Sequence, residues 1–150
     1  MKRYKPLFEE SNKIENALNN LHKIRIVDAE ENQISTKSIF KNMKDKLYLR
    51  GTDINKLKDS IKEHKLIDVK IDELIATQSR LRVDVIEEYI QNSDSKQFDK
   101  YSNSPKEKYP IVVFFKDTLY IDDGHHRIAS LKLLGYDSCK VIYVDRVYKR

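Results

Sequence analysis

Apolar positions along this chain follow a helical period in the first third and an alternating one later, with the change near Leu66. Behind Pro6, which suits a first helical turn, Leu7, Ile14, Leu18 and Leu21 make one stripe. The run Ile24 to Val27 then reads as a short extended segment, and AEENQ as a turn. Between Ile34 and Leu49 the positions Ile39, Phe40, Met43 and Leu47 fit a helix, against the local preferences of Ser35, Thr36 and Ser38. After Gly51, Thr52 or Asp53 can cap a further helix lined by Ile54, Leu57 and Ile61.

From Leu66 the alternation of Ile67, Val69 and Ile71 with polar residues predicts a half-buried strand. DELIATQ leads to a helix from about Leu81, with Leu81, Val85 and Tyr89 on one face and Ile86 and Ile90 widening it. Residues 92–109 are polar, contain Pro105 and have no sustained period, as a loop or insertion would. The run PIVVFF suits a strand covered on both faces. KDT turns it into a second strand, Leu119 to Ile121, and DDGHH leads into a helix from about His126 to Leu134, stopped by Gly135. Ser138 to Val147 closes the pattern as a strand. These elements predict a mixed α/β (α+β) domain over residues 66–150, with an insertion at 92–109, preceded by a mostly helical extension over residues 1–65.

Composition narrows the class. The 150 residues carry 29 Lys+Arg against 24 Asp+Glu, a formal charge of +5, and most of the excess lies in residues 1–60. There Lys41, Lys44, Lys46 and Arg50 fall close together, a candidate track for a phosphate backbone. No apolar run is long enough to span a membrane and the first residues hold no apolar signal core, so a cytoplasmic protein is expected. A single cysteine, Cys139, provides neither an internal disulfide nor a thiolate zinc site.

The chemistry-bearing stretch is Leu-Tyr-Ile-Asp-Asp-Gly-His-His-Arg-Ile-Ala-Ser-Leu-Lys-Leu-Leu-Gly, residues 119–135. A strand ends in Asp122 and Asp123, the chain turns at Gly124, and a helix opens with His125, His126 and Arg127. Backbone N–H groups at a helix start attract anions, and a glycine there lets a ligand approach the backbone. A cation in a first turn opposes the helix dipole, which makes Arg127 more useful as a fork of donors for phosphate. Taken singly, each residue has a structural explanation: a turn glycine, a capping aspartate, a paired arginine, a packed histidine. Together at one junction they point to phosphate handling.

This stretch, with Tyr-Pro-Ile-Val-Val before it and Val-Lys-Ile-Asp-Glu-Leu-Ile-Ala-Thr-Gln upstream, resembles the ParB/sulfiredoxin superfamily, in particular its phage and plasmid ParB-like nuclease domains. The resemblance covers about residues 66–150 and centres on Gly124, His126 and Arg127. It implies a compact mixed sheet with helices and a pocket that Thr77 and Gln78 adjoin. Sulfiredoxins place a catalytic cysteine where this chain has His125, so reductase chemistry is not expected. The Glu-Arg-Arg motif and helix-turn-helix of the chromosome-partitioning proteins are also missing from these residues.

The leading expectation is therefore a DNA-directed phosphodiesterase. Arg127 and the helix start would hold the phosphate, and His126 or His125 would serve as general base or acid. Asp122 and Asp123 would hold Mg²⁺ or Mn²⁺, or orient an imidazole. One alternative is a module that binds ATP or CTP, or a small-molecule kinase with Glu73 or Asp122 as base. Another is a non-enzymatic, phage-type factor that meets a protein partner through its N-terminal extension.

Overall fold

The computed structural model describes residues 5–27, 32–44, 61–93, 109–115 and 117–146. In chain order these form α1 (Lys5–Val27), β1 (Gln33–Ser35), a 3-10 turn (Thr36–Ser38), β2 (Asn42–Met43) and β3 (Ile61–Lys70). A second 3-10 turn (Ile71–Glu73) leads to β4 (Leu74–Ala76), β5 (Arg80–Arg82) and α2 (Val83–Gln91). β6 (Ile111–Phe115), β7 (Thr118–Asp123), α3 (His125–Leu133) and β8 (Ser138–Arg146) follow. The fold is a mixed α/β arrangement. One six-stranded sheet has the order β2-β4-β7-β6-β8-β3, and β1 and β5 form a separate two-stranded ribbon.

Strand direction divides the large sheet. β2, β4 and β7 run parallel to one another; β6 is antiparallel to β7 and parallel to β8, and β3 is antiparallel to β8. The continuous apolar run of β6 has the expected consequence, since adjacent Val112 and Val113 point to opposite faces and both are buried. Ala17 and Leu21 of α1, Ile86 and Ile90 of α2, and Ile128 and Ala129 of α3 share one core with Leu74, Ala76, Val112, Ile121 and Val141 of the sheet. Each fully buried Ile or Leu there contributes roughly 1.5–3 kcal/mol relative to exposure.

Several elements differ from the pattern-based expectation. Residues 24–27 continue α1 instead of extending, because Ile24 falls seven positions after Ala17 and packs against the same core. The helix expected around Ile39 and Phe40 is replaced by β1, a 3-10 turn and β2, which send Ile34, Ile39 and Phe40 into the core. Ile61 belongs to β3 and not to the helix expected after Gly51, of which residues 51–60 lie outside the described residues. Ile71 ends the alternation in a 3-10 turn, and Leu74–Ala76 is a strand in place of a plain connection. Leu81 sits on β5, so the buried stripe of α2 is Val83, Ile86 and Ile90, with Val85 and Tyr89 at its flank. Of the expected insertion, residues 94–108 also lie outside the described residues.

Helix ends are held in two ways. α3 stops in a Schellman arrangement: Gly135 N–H donates to Lys132 O at 3.0 Å and Tyr136 N–H to Leu131 O at 3.1 Å, with Gly135 at φ +97°. The start of α2 is capped from a distance. Asn32 O accepts from Val83 N–H at 3.0 Å, Asn32 Oδ1 accepts from Asp84 N–H at 3.2 Å, and Asn32 Nδ2 donates to Asp84 Oδ1 at 3.1 Å. Asn32, just before β1, thus satisfies N–H groups that no local side chain reaches.

The two turn glycines should respond differently to alanine. At Gly135 a new Cβ meets nothing within 4 Å, so Gly135→Ala carries only the left-handed backbone cost, about 1–2 kcal/mol. At Gly124, φ is +98° and a Cβ would lie 2.8 Å from Pro110 Cβ, so the loss should reach about 3 kcal/mol or more. Urea unfolding of both variants checks the order and the gap.

Candidate functional site

Parallel strands place their carboxyl ends together, and here three do so side by side. Lys44 follows β2, Thr77 follows β4 and Gly124 follows β7. Lys44 N–H donates to Ala76 O at 2.8 Å, which ties the first two ends. The crevice beyond such ends is where sheets with parallel strands bind ligands, because backbone and loops converge there without a strand blocking approach.

α3 begins beside these strand ends. On β7 the register steps from Ile121 opposite Val112 to Asp123 opposite Ile111, so Asp122 is an extra residue, a bulge that re-aims the chain just before the turn. Asp122 is half-buried and Asp123 exposed. Gly124 then takes the left-handed conformation, packs on Pro110 and leads into the helix with no side-chain cap. The first N–H groups of α3, which precede the first intrahelical bond at Ile128 N–H to Gly124 O (3.0 Å), are those of residues 125–127.

Both imidazoles turn out to accept hydrogen bonds from backbone. His125, 3% exposed, takes Thr77 N–H on its Nε2 at 2.9 Å, with Phe40 edge-on at 6.4 Å. Thr77 Oγ1 in turn donates to Ile121 O at 2.7 Å, which binds the end of β4 to β7. His126 Nε2 accepts Arg82 N–H at 3.0 Å. An Nε2 that accepts from N–H carries no proton, so each ring holds its hydrogen on Nδ1. Burial, then the nearby Arg82 charge, pushes His126 below the ordinary 6.5, and Asp84 only partly offsets them.

The segment between β4 and β5 is therefore fastened on both sides. Thr36 N–H donates to Ser79 O at 3.0 Å, Thr36 Oγ1 donates to Gln78 O, and Gln78 Nε2 donates to Arg80 O at 2.7 Å. Arg127 stacks its guanidinium 5.4 Å from the centroid of Tyr89 on α2, which orients the charge beside the start of α3. Arg82 pairs with Asp84 at 2.8 Å and remains 60% exposed. Desolvation pushes Asp84 upward, but hydrogen bonds from Asn32 and Arg82 and the Arg82 charge outweigh it and leave the carboxyl below its ordinary value.

The structure brings Gly124, His125, His126, Arg127, Thr77, Gln78, Asp122, Asp123 and Lys44 to this end of the sheet. Lys41 lies at the other end of β2, 3.6 Å from Asp72, which Lys132 also binds at 2.8 Å. The Lys132 hydrogen bond, against partial desolvation and with the charges of both lysines, holds Asp72 below its ordinary value. Glu73 precedes β4, so it too is at the wrong end for a base acting in the crevice. Lys46 and Arg50 lie outside the described residues. A recess of about 120 Å³ lined by Asp72, Lys132 and Tyr136 sits at the far end of α3.

Sequence patterns did not mark Asn32, Thr36, Arg82 or Tyr89 as site residues; Thr36 and Tyr89 entered only as positions of predicted elements. The one available signal was the alternation Arg80-Leu81-Arg82, which matches a half-buried strand. Among the described residues no group of three or more His, Cys, Asp and Glu is assembled for a metal. Burial, then Asp68, pushes the Cys139 thiol up to about 11, which keeps it protonated at neutral pH. No described helix is long and apolar enough to cross a membrane. No family model matches the chain, and neither a curated protein nor a solved structure does so.

The His126 contact carries a pH signature. Its folded value lies below 6.5, so just below pH 6.5 the unfolded chain binds more protons. Stability should be complete above 6.5 and fall as pH drops through 6.5 toward the lower folded value. Urea unfolding at about pH 7.5 and about pH 5.5 measures the decline. His126→Gln, whose amide oxygen can accept Arg82 N–H without titrating, should decline less over the same interval.

Proposed function

We propose that this chain is a ParB-like phosphate-binding protein whose ligand is the phosphodiester backbone of DNA, gripped where α3 begins. The fold assignment within the ParB/sulfiredoxin superfamily rests on the Gly124-His125-His126-Arg127 junction and its flanking strands. The observation that carries the function is the convergence of three parallel strand ends on the start of α3, with Arg127 in its first turn. Backbone N–H groups and a planar guanidinium are donors only, and a phosphate group is an acceptor only.

Binding fits the arrangement better than cleavage. A phosphodiesterase that uses an imidazole as general base needs a free acceptor nitrogen, and both Nε2 atoms here are engaged by Thr77 and Arg82 N–H. His125 and His126 instead set the distance between α3 and the loop that faces it. If Asp122 and Asp123 hold Mg²⁺ when phosphate arrives, the ion would offset charge between carboxylates and phosphate; no step of the reading depends on it.

Fluorescence anisotropy with a labelled DNA oligonucleotide tests the reading. Wild type should bind, Arg127→Ala should bind about ten- to a hundredfold more weakly, as loss of a charge-assisted contact implies, and Arg127→Lys should recover part of the loss. Supercoiled plasmid incubated with Mg²⁺ or Mn²⁺ should stay intact. Absence of DNA binding together with a thermal shift on adding ATP or CTP would replace the reading with a triphosphate module. Nicking that disappears in Arg127→Ala would restore the phosphodiesterase.

A further inference from the structure

β3 is the longest strand of the large sheet and stands at its end, paired among the described residues with β8 alone. An edge strand carries on its outer side N–H and C=O groups that no ladder satisfies, a template for another strand. Its side chains divide as the pleat requires. Ile67 and Val69 join the core, while Leu66, Asp68 and Lys70 point to the opposite face and are exposed.

Leu66 is one of two large apolar side chains left exposed among the described residues, at 44%. It ends a row. Ile111 of β6 lies beside Ile142 of β8, and Ile142 lies beside Leu66. Ile111 is half-buried and Ile142 buried, so the row stops at the edge of the sheet with its last member open to solvent.

A second copy of the same strand continues that row. Two strands related by a two-fold axis normal to the sheet run antiparallel and keep their faces, so each register centres on one residue. Centring on Lys65 or Asp68 sets like charges face to face, which opposes pairing. Centring on His64 carries the pairing through the irregularity between Ile61 and Glu63. Centring on Ile67 sets Leu66 against Asp68 and His64 against Lys70. Centring on Leu66 sets leucine on leucine, Asp68 opposite His64 and Lys65 opposite Ile67, within the regular stretch that begins at Glu63. The like charges of Lys62 and Lys70 then meet only at the two ends.

We propose that β3 is the interface of a two-fold homodimer, in which two copies pair antiparallel about Leu66 and join their sheets into one. The pairing satisfies the outward N–H and C=O groups of both strands and brings the two leucines together. It is self-limiting, because a two-fold contact uses the same edge on each copy and no chain of copies grows from it. The interface is independent of the phosphate-binding reading: β6 and β8 stand between β3 and β7, the strand that leads to α3. One strand edge covers less area than a permanent dimer needs, so the association is weak and depends on concentration.

Sedimentation velocity of the full chain, from micromolar to near-millimolar concentration, tests the proposal. Wild type should shift from monomer toward dimer, and Leu66→Lys should remain monomeric with an unchanged melting curve. Asp68→Lys, which sets a lysine opposite His64, should weaken association several-fold and serves if Leu66→Lys melts early. Mild oxidation then reads the register. Cys139 is the sole cysteine and is buried, its thiol pushed up to about 11, so it takes no part. Leu66→Cys should give a disulfide-linked dimer, since directly opposite residues stand about 5 Å apart. Lys70→Cys should not, since the two-fold separates that position from itself by about 27 Å along the strands.

A wild type that stays monomeric at every concentration would overturn the proposal. So would a dimer that survives both lysine variants, which would place the contact elsewhere. Equal crosslinking of the two cysteine variants would overturn the register centred on Leu66.

Discussion

A backbone N–H donated to a neutral imidazole nitrogen is the interaction on which the site depends, and the chain makes it twice in succession. His125 receives Thr77 N–H and His126 receives Arg82 N–H, so adjacent residues of α3 hold both ends of the segment linking β4 to β5. The Thr77 N–H is buried, where a donor without an acceptor costs about 1–3 kcal/mol, while the Arg82 contact is exposed. Protonation of either Nε2 would set donor against donor.

The rest of the architecture works around that constraint. Thr36 and Thr77 fasten the same segment to the first 3-10 turn and to β7. The bulge at Asp122 and the left-handed Gly124, pressed on Pro110, bring α3 in at an angle that lets both rings reach across. With the imidazoles spent on geometry, the positive charge beside the start of α3 is that of Arg127, held over Tyr89. Such an arrangement offers fixed donors to an anion more readily than it offers a group that changes protonation state.

Much of the C-terminal part was legible because its elements carry strong local signals. Five successive apolar residues marked β6, Gly135 marked the end of α3, and the Asp-Asp-Gly-His-His-Arg run marked the junction. The N-terminal part was legible only for α1. There the stripe gave the helix, yet Ile24 read as extended because propensity over four residues competes poorly with a tertiary contact. β1, β2 and β4 are two or three residues long, too short for any period to appear, and exist because neighbouring strands supply their partners. The roles of His125 and His126 were hidden for a related reason. Histidine beside arginine at a helix start suggests proton transfer, and only the positions of Thr77 and Arg82, far away in sequence, show the rings accepting hydrogen bonds instead.

The most direct measurement is the tautomer of the two rings, read from the imidazole nitrogens by long-range ¹H–¹⁵N correlation at neutral pH. The account predicts that His125 and His126 both carry their proton on Nδ1, with Nε2 shifted as an unprotonated acceptor, and that this persists when an oligonucleotide is added. A proton on Nε2 of either ring would contradict it, and would return that histidine to the pool of groups free for catalysis.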